Sequence, residues 1–192
     1  MKNALIFHGT GGYPEENWFP WMKKELELMD YEVAVPQFPT PEGQTLEAWF
    51  KVFQKYHDNM NEDTIIIGHS LGGIFLLRVL EKIQKKIALA CFIGTPIGIK
   101  PIANYDSDLL FMGKPFDWDR IKNHAENFIV FHSDTDPYVS LENGKMLANN
   151  LGIALDFVPN AGHFNATAGY LKFDALLERI QKMASGKVEI KS

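Results

Sequence analysis

Six short runs of this 192-residue chain are mostly apolar on both faces, and they restrict its fold more than any other feature. ALIF (4–7), EVAV (32–35), TIIIG (64–68), IALACFIG (87–94), NFIVFHS (127–133) and ALDFVP (154–159) are rich in β-branched and aromatic residues. A strand wetted on one side alternates polar and apolar residues. Runs without that alternation belong inside a parallel sheet covered on both sides. The segments between them carry helical spacing. Leu46, Trp49, Phe50, Phe53 and Tyr56 recur every three or four residues behind a helix start at Thr45 and Glu47. Tyr170, Phe173, Leu176, Leu177, Ile180 and Met183 form a second stripe. Such stripes read as faces packed on a sheet rather than as cofactor boxes. The expectation is an α/β chain, a three-layer α/β/α sandwich around a mostly parallel sheet of about six strands, in one domain spanning 1–192.

In sheets of this kind the chemistry gathers where strands end, which directs attention to three loops. After TIIIG comes Gly68-His69-Ser70-Leu71-Gly72-Gly73, followed by a helix whose apolar positions begin at Leu71 and Ile74. A G-x-S-x-G turn between strand and helix lifts a serine hydroxyl above the sheet edge, and small residues at its flanks avoid collision. The competing reading is a glycine-rich helix start with Ser70 as a plain cap.

A serine needs a base, and the base needs an orienting acid, in the chain order Ser, Asp or Glu, His. His163, in PNAGHF after the last run, fits the base. His132 lies in the end of the preceding strand, where a structural histidine is expected. His124 falls in a connector, and His57 ends a surface helix. For the acid, FHSDTDPYVS offers Asp134 and Asp136. Asp136 is favoured because Pro137, Tyr138 and Val139 can anchor and shield it, while Asp134 suits loop-shaping hydrogen bonds. An oxyanion needs two preorganised donors. The expected pair is the N–H of Leu71 and that of Thr10, the latter in the glycine-rich loop Phe7-His8-Gly9-Thr10-Gly11-Gly12. No G-x-G-x-x-G or Gly-Lys-Ser/Thr element supports phosphate binding instead.

Charge and cysteine usage narrow the classes further. A net charge of −5 with no basic face argues against a nucleic-acid partner. Lys82, Lys85 and Lys86 stand near a helix end, where cations suit the dipole. Cys91 is the only cysteine, so no internal disulfide and no cysteine-based zinc site is expected. The N-terminus has no apolar signal region, and the apolar stretches fall short of the ~20 residues of a membrane span. A cytoplasmic location and no membrane association are expected.

With these loops identified, the chain resembles the small α/β-hydrolase family of YdeN-like and retinoblastoma-binding-protein-9-like serine hydrolases. The resemblance rests on HGTGG followed by ENWFPW, on VPQFPTP, GHSLGG, PFDWDRI, HSDTDPYV and PNAGHFN, over nearly the whole chain. It implies a Ser70, Asp136, His163 triad. It also implies a compact fold that starts at what larger relatives count as their third strand, without a large lid domain. Ser140 and Gln44 depart from it, standing where Pro is common.

Without a lid, loops must wall the substrate pocket. The candidates are Trp18, Phe38, Phe116 and Trp118, with Tyr13, Phe19 and Phe111 beside them, and for each the competing reading is core packing. The expected activity is hydrolysis of a small-molecule carboxylic ester, amide or thioester, of esterase or aminopeptidase-like type, with no metal or other cofactor. The rival expectation is a binding protein that keeps the fold with little or no turnover.

Overall fold

Alternate residues of the central runs serve two separate cores, which is why those runs are almost wholly apolar. In the computed structural model, which describes residues 1–185, the six runs become β1 (Lys2–Phe7), β2 (Tyr31–Ala34), β3 (Ile65–His69), β4 (Ile87–Ile93), β5 (Ala125–His132) and β6 (Asp156–Phe157). They form one sheet in the order β2-β1-β3-β4-β5-β6, with every pair parallel. Leu5 and Phe7 of β1, Ile66 of β3, and Ala90 and Phe92 of β4 enter one core. Their neighbours Ala4, Ile6, Ile65, Ile67, Leu89 and Cys91 enter the other.

Helices cover both faces. The first core is closed by α2 (Leu46–His57), α3 (Leu71–Leu80), α4 (Tyr105–Met112), α5 (Trp118–Asn123) and α6 (Leu141–Leu151). The second is closed by α1 (Phe19–Glu27) and α7 (Asp174–Ser185). The sheet is therefore the middle layer of a three-layer α/β/α sandwich, with no separate lid domain among the described residues. Thr45 starts α2 as expected, its side chain accepting the Ala48 N–H. Every residue of α3 is buried, so the helix that carries the GHSLGG turn is locked at the centre of the molecule. No described helix is long and apolar enough to cross a membrane.

Two expectations are corrected. The run 154–159 contributes only two residues of strand, Asp156 and Phe157, at the edge of the sheet beside β5, and Phe157 is exposed. In the C-terminal stripe, Tyr170 and Phe173 precede the helix. Phe173 instead stacks on Phe164, and its carbonyl accepts the Leu177 N–H at the start of α7.

Candidate active site

The turn after β3 is strained in the way a raised serine requires. Ser70 has φ 54° and ψ −121°, a region that non-glycine residues rarely occupy, and its side chain makes no capping hydrogen bond. The plain-cap reading is thereby excluded. The Ser70 N–H instead donates to the Ile93 carbonyl of β4 at 2.8 Å. Gly68 and Gly72 cannot carry a side chain: a Cβ at Gly68 would lie 2.5 Å from the Gly72 carbonyl oxygen, and one at Gly72 would strike the Phe7 and His8 carbonyls. A Cβ at Gly73 would run into the Thr95 side chain. The glycines let α3 start against β1 and β4, with its first N–H groups directed at the sheet edge.

The loops after β5 and β6 bring an imidazole and a carboxylate together. His163 Nδ1 lies 2.6 Å from Asp136 Oδ2. The other oxygen of Asp136 accepts the N–H groups of Tyr138 and Val139 at 2.9 and 3.0 Å, so its side chain is fully enclosed with both oxygens engaged. With Nδ1 turned to Asp136, the Nε2 edge of His163 is left for another partner. Asp134 does what its turn position suggests: it accepts the Asn160 N–H and ties the two loops together. His132 is wholly buried, with Nε2 bonded to the Val139 carbonyl.

Gly94, at the end of β4, is a site residue that the sequence reading missed. A Cβ there would fall 3.0 Å from His163 Nδ1 and 3.4 Å from Asp136 Oδ2. Its φ is +54°, which glycine adopts without cost. Position 94 looked like the last residue of an apolar run. The only signal in the sequence was a glycine closing a run that otherwise needs none.

The glycine-rich loop after β1 runs beside Ser70, and a Cβ on Gly9 would come 2.9 Å from that of Ser70. Thr10 follows it and lines the same cavity, and Leu71 opens α3. The Thr10 hydroxyl donates to Asp108 Oδ1 at 2.8 Å. Asp108 is almost fully buried, and that burial raises its pKa above the usual carboxylate value against the opposing pull of hydrogen bonds from Thr10, Ser107 and Gln44.

Ser70 and His163 line one cavity of about 520 Å³ together with Thr10, Tyr13, Glu16, Asn104, Tyr138 and Leu171. The volume suits a small molecule, for which such sites span about 300–1,000 Å³. Burial raises the Glu16 pKa as well. The expected aromatic walls are corrected, because none of the four lines this cavity. Trp18 is fully buried, and its indole N–H donates to the Phe164 carbonyl. Phe38 stacks on Trp49 at 4.4 Å inside the first core. Phe116 lies under the Arg78 guanidinium, 4.1 Å from its centre, and Trp118 packs beside Phe116. Phe19 and Phe111 are likewise core residues. Of the seven aromatics, only Tyr13 reaches the cavity. Tyr138 was not foreseen as a wall, yet its ring sits 5.0 Å from that of His163.

His69 supports His163 from below. Its Nε2 lies 2.8 Å from the His163 carbonyl, which makes Nε2–H the donor and leaves Nδ1 without a partner. Burial first, and the neighbouring His163 second, lower the His69 pKa to about 3, so this ring stays neutral. Burial also lowers the pKa of His8 and of His132. Burial pushes the Cys91 thiol up, as suits an inert core residue.

Residues 4–182 match the family described as "Serine hydrolase". The chain belongs to that serine hydrolase family. Among curated relatives, "Putative hydrolase YdeN" of Bacillus subtilis (strain 168) is 30% identical over 169 residues, 88% of this chain and 89% of the relative. "Serine hydrolase RBBP9" of Rattus norvegicus is 26% identical over 191 residues, 94% of each chain. The crystal structure of the ydeN gene product from B. subtilis superimposes with a TM-score of 0.90 at 27% identity, covering 96% of this serine hydrolase and all of that chain. Est1E from Butyrivibrio proteoclasticus, with ferulic acid bound, shares the fold at a TM-score of 0.66 and 15% identity, over 94% of this chain and 90% of its own. The serine hydrolase described here thus has the α/β-hydrolase fold in a compact form.

Proposed function

We propose that this serine hydrolase cleaves small carboxylic esters, amides or thioesters through an acyl-enzyme on Ser70, with His163 as base and Asp136 as its orienting acid. The observation that carries this reading is the 2.6 Å pairing of His163 Nδ1 with a fully enclosed Asp136, at the cavity that the strained Ser70 turn also lines. A carboxylate at Nδ1 fixes the tautomer, leaves Nε2 to take a proton, and stabilises the imidazolium that results.

Ser70 Oγ attacks the substrate carbonyl carbon as its proton passes to His163 Nε2. The carbonyl electron pair moves onto oxygen, where the N–H groups of Leu71 and Thr10 hold the negative charge. Collapse of this intermediate expels the alcohol, amine or thiol, which takes the proton from His163. Water then attacks the acyl-enzyme, His163 receives its proton and returns it to Ser70, and the carboxylic acid leaves.

The test is labelling with a fluorophosphonate probe, alongside hydrolysis of p-nitrophenyl esters and aminoacyl arylamides. Wild-type protein should be labelled and should turn over at least one class, while Ser70→Ala should do neither. A wild-type protein that takes no label would sink the proposal.

A further inference from the structure

Three of the four residues 9–12 are glycines, so Thr10 offers this loop its only side-chain anchor. That anchor is engaged. Thr10 Oγ1 donates to Asp108 Oδ1 at 2.8 Å, and Gln44 Nε2 and Ser107 Oγ donate to the same oxygen at 3.3 Å each. The far end of Gln44 continues the connection, because Gln44 Oε1 accepts the Thr40 hydroxyl at 2.6 Å. Thr40 Oγ1 in turn accepts the Gly11 N–H at 2.7 Å. The hydrogen bonds therefore form a closed ring that leaves the loop at Thr10 and returns to it at Gly11.

Asp108 is only 1% exposed and Gln44 only 6%. Neutral donors alone surround the carboxylate oxygen, and a buried carboxylate without a cation is a costly way to stabilise a fold.

We propose that Asp108 and Gln44 form a clasp that sets the register of residues 9–12 and so aims the Thr10 N–H at the oxyanion, Asp108 acting as a positioning residue. This rests on the acyl-enzyme reading above. A donor loop built of glycines has many conformations of similar energy, and transition-state stabilisation falls steeply when a donor moves by about 1 Å. The clasp removes that freedom through groups that never touch substrate. Because the three donors converge on one oxygen, a single carbonyl in place of the carboxylate should suffice.

The experiment compares wild type, Asp108→Asn, Asp108→Leu, Thr10→Val and the double variant Thr10→Val/Asp108→Leu, each checked for folding by circular dichroism and urea unfolding. The readouts are kcat and KM for p-nitrophenyl butyrate, inhibition by phenylboronic acid, and hydrogen exchange of residues 9–12. Asp108→Leu and Thr10→Val should each lose about ten- to a hundredfold in kcat with little change in KM. Their boronate affinity should fall in parallel, because the boronate adduct places an oxygen in the same donor pair. Exchange at Gly11 should quicken in Asp108→Leu. The double variant should be little worse than either single one, since the two residues act through one bond, and Asp108→Asn should keep most of the wild-type kcat. A folded Asp108→Leu with wild-type kcat and boronate affinity would overturn the clasp. So would an Asp108→Asn as slow as Asp108→Leu, which would point to an effect of the charge itself. Wild-type protein that resists fluorophosphonate overturns the acyl-enzyme reading and this role with it, a pattern distinct from labelled but unaffected variants.

Discussion

Gly94 is the floor on which His163 rests: the space its missing side chain leaves is occupied by the imidazole, and a Cβ there would approach Nδ1 to 3.0 Å. The contact is tighter than ordinary packing, and Asp136 stands 3.4 Å from the same point. Ala at this position must push the ring off the carboxylate or move the end of β4. Gly94→Ala should therefore lower kcat by about a hundredfold, in line with a displacement near 1 Å at a reacting group. The positive φ should cost a further 1–2 kcal/mol, roughly, in urea unfolding. Unchanged kcat in a folded Gly94→Ala would mean that the ring does not depend on this floor.

The two aspartates of the HSDTDPYV loop should separate cleanly. Asp136→Asn places an amide against His163 Nδ1, which favours the wrong tautomer, and kcat should fall by about 10⁴ with KM little changed. Asp134→Asn keeps an acceptor for the Asn160 N–H and should stay within about tenfold of wild type. Steady-state kinetics of both variants on one ester decide the matter. Comparable losses in the two would remove Asp136 from its assigned place.

How much of this was legible beforehand differs by residue for physical reasons. The strands could be read because burial on both faces forces unbroken apolar runs, and the serine turn because Gly68 and Gly72 have no room for a side chain. His163 and Asp136 stand out as candidates because each lies in a short loop within four residues of the end of an apolar run. The pocket walls could not, since an aromatic ring in a loop looks the same whether it faces a cavity or a core. Trp18 and Phe38 sit in segments beside the site, yet the second core and the Trp49 ring claim them. Gly94 was hidden for the opposite reason: its role depends on a loop some seventy residues away. The ring through Thr40, Gln44 and Asp108 joins three separate segments, and no local pattern reports such a closure.

That correction of the walls carries its own expectation. Tyr138 is exposed, lines the cavity and packs its ring at 5.0 Å from that of His163. Tyr138→Ala should raise KM for aromatic or long acyl esters by about tenfold or less, the scale of a partly buried apolar contact, with smaller changes for acetate esters. Phe38→Ala should do the reverse. It empties a fully buried ring site and should cost about 3–5 kcal/mol in urea unfolding while leaving KM near wild type. A Phe38→Ala protein with a large KM defect and normal stability would return Phe38 to the pocket.

Acid should weaken the fold through its buried histidines. Burial holds His69 neutral down to about pH 3, whereas the unfolded chain protonates it near its ordinary value of 6.5. Between those values the unfolded state binds more protons, so stability rises with pH, is fully present above about 6.5 and is lost as pH falls towards 3. The slope is about 1.4 kcal/mol per pH unit for one such group. His8 and His132, both lowered by burial, act in the same direction. His69→Gln keeps an N–H donor for the His163 carbonyl and removes one titrating group. Urea unfolding from about pH 7 to pH 4 should find the variant gaining on wild type steadily as pH falls. Parallel curves for the two proteins would show that His69 takes up its proton in the folded state, and with it the brace beneath His163 would have to carry a charge.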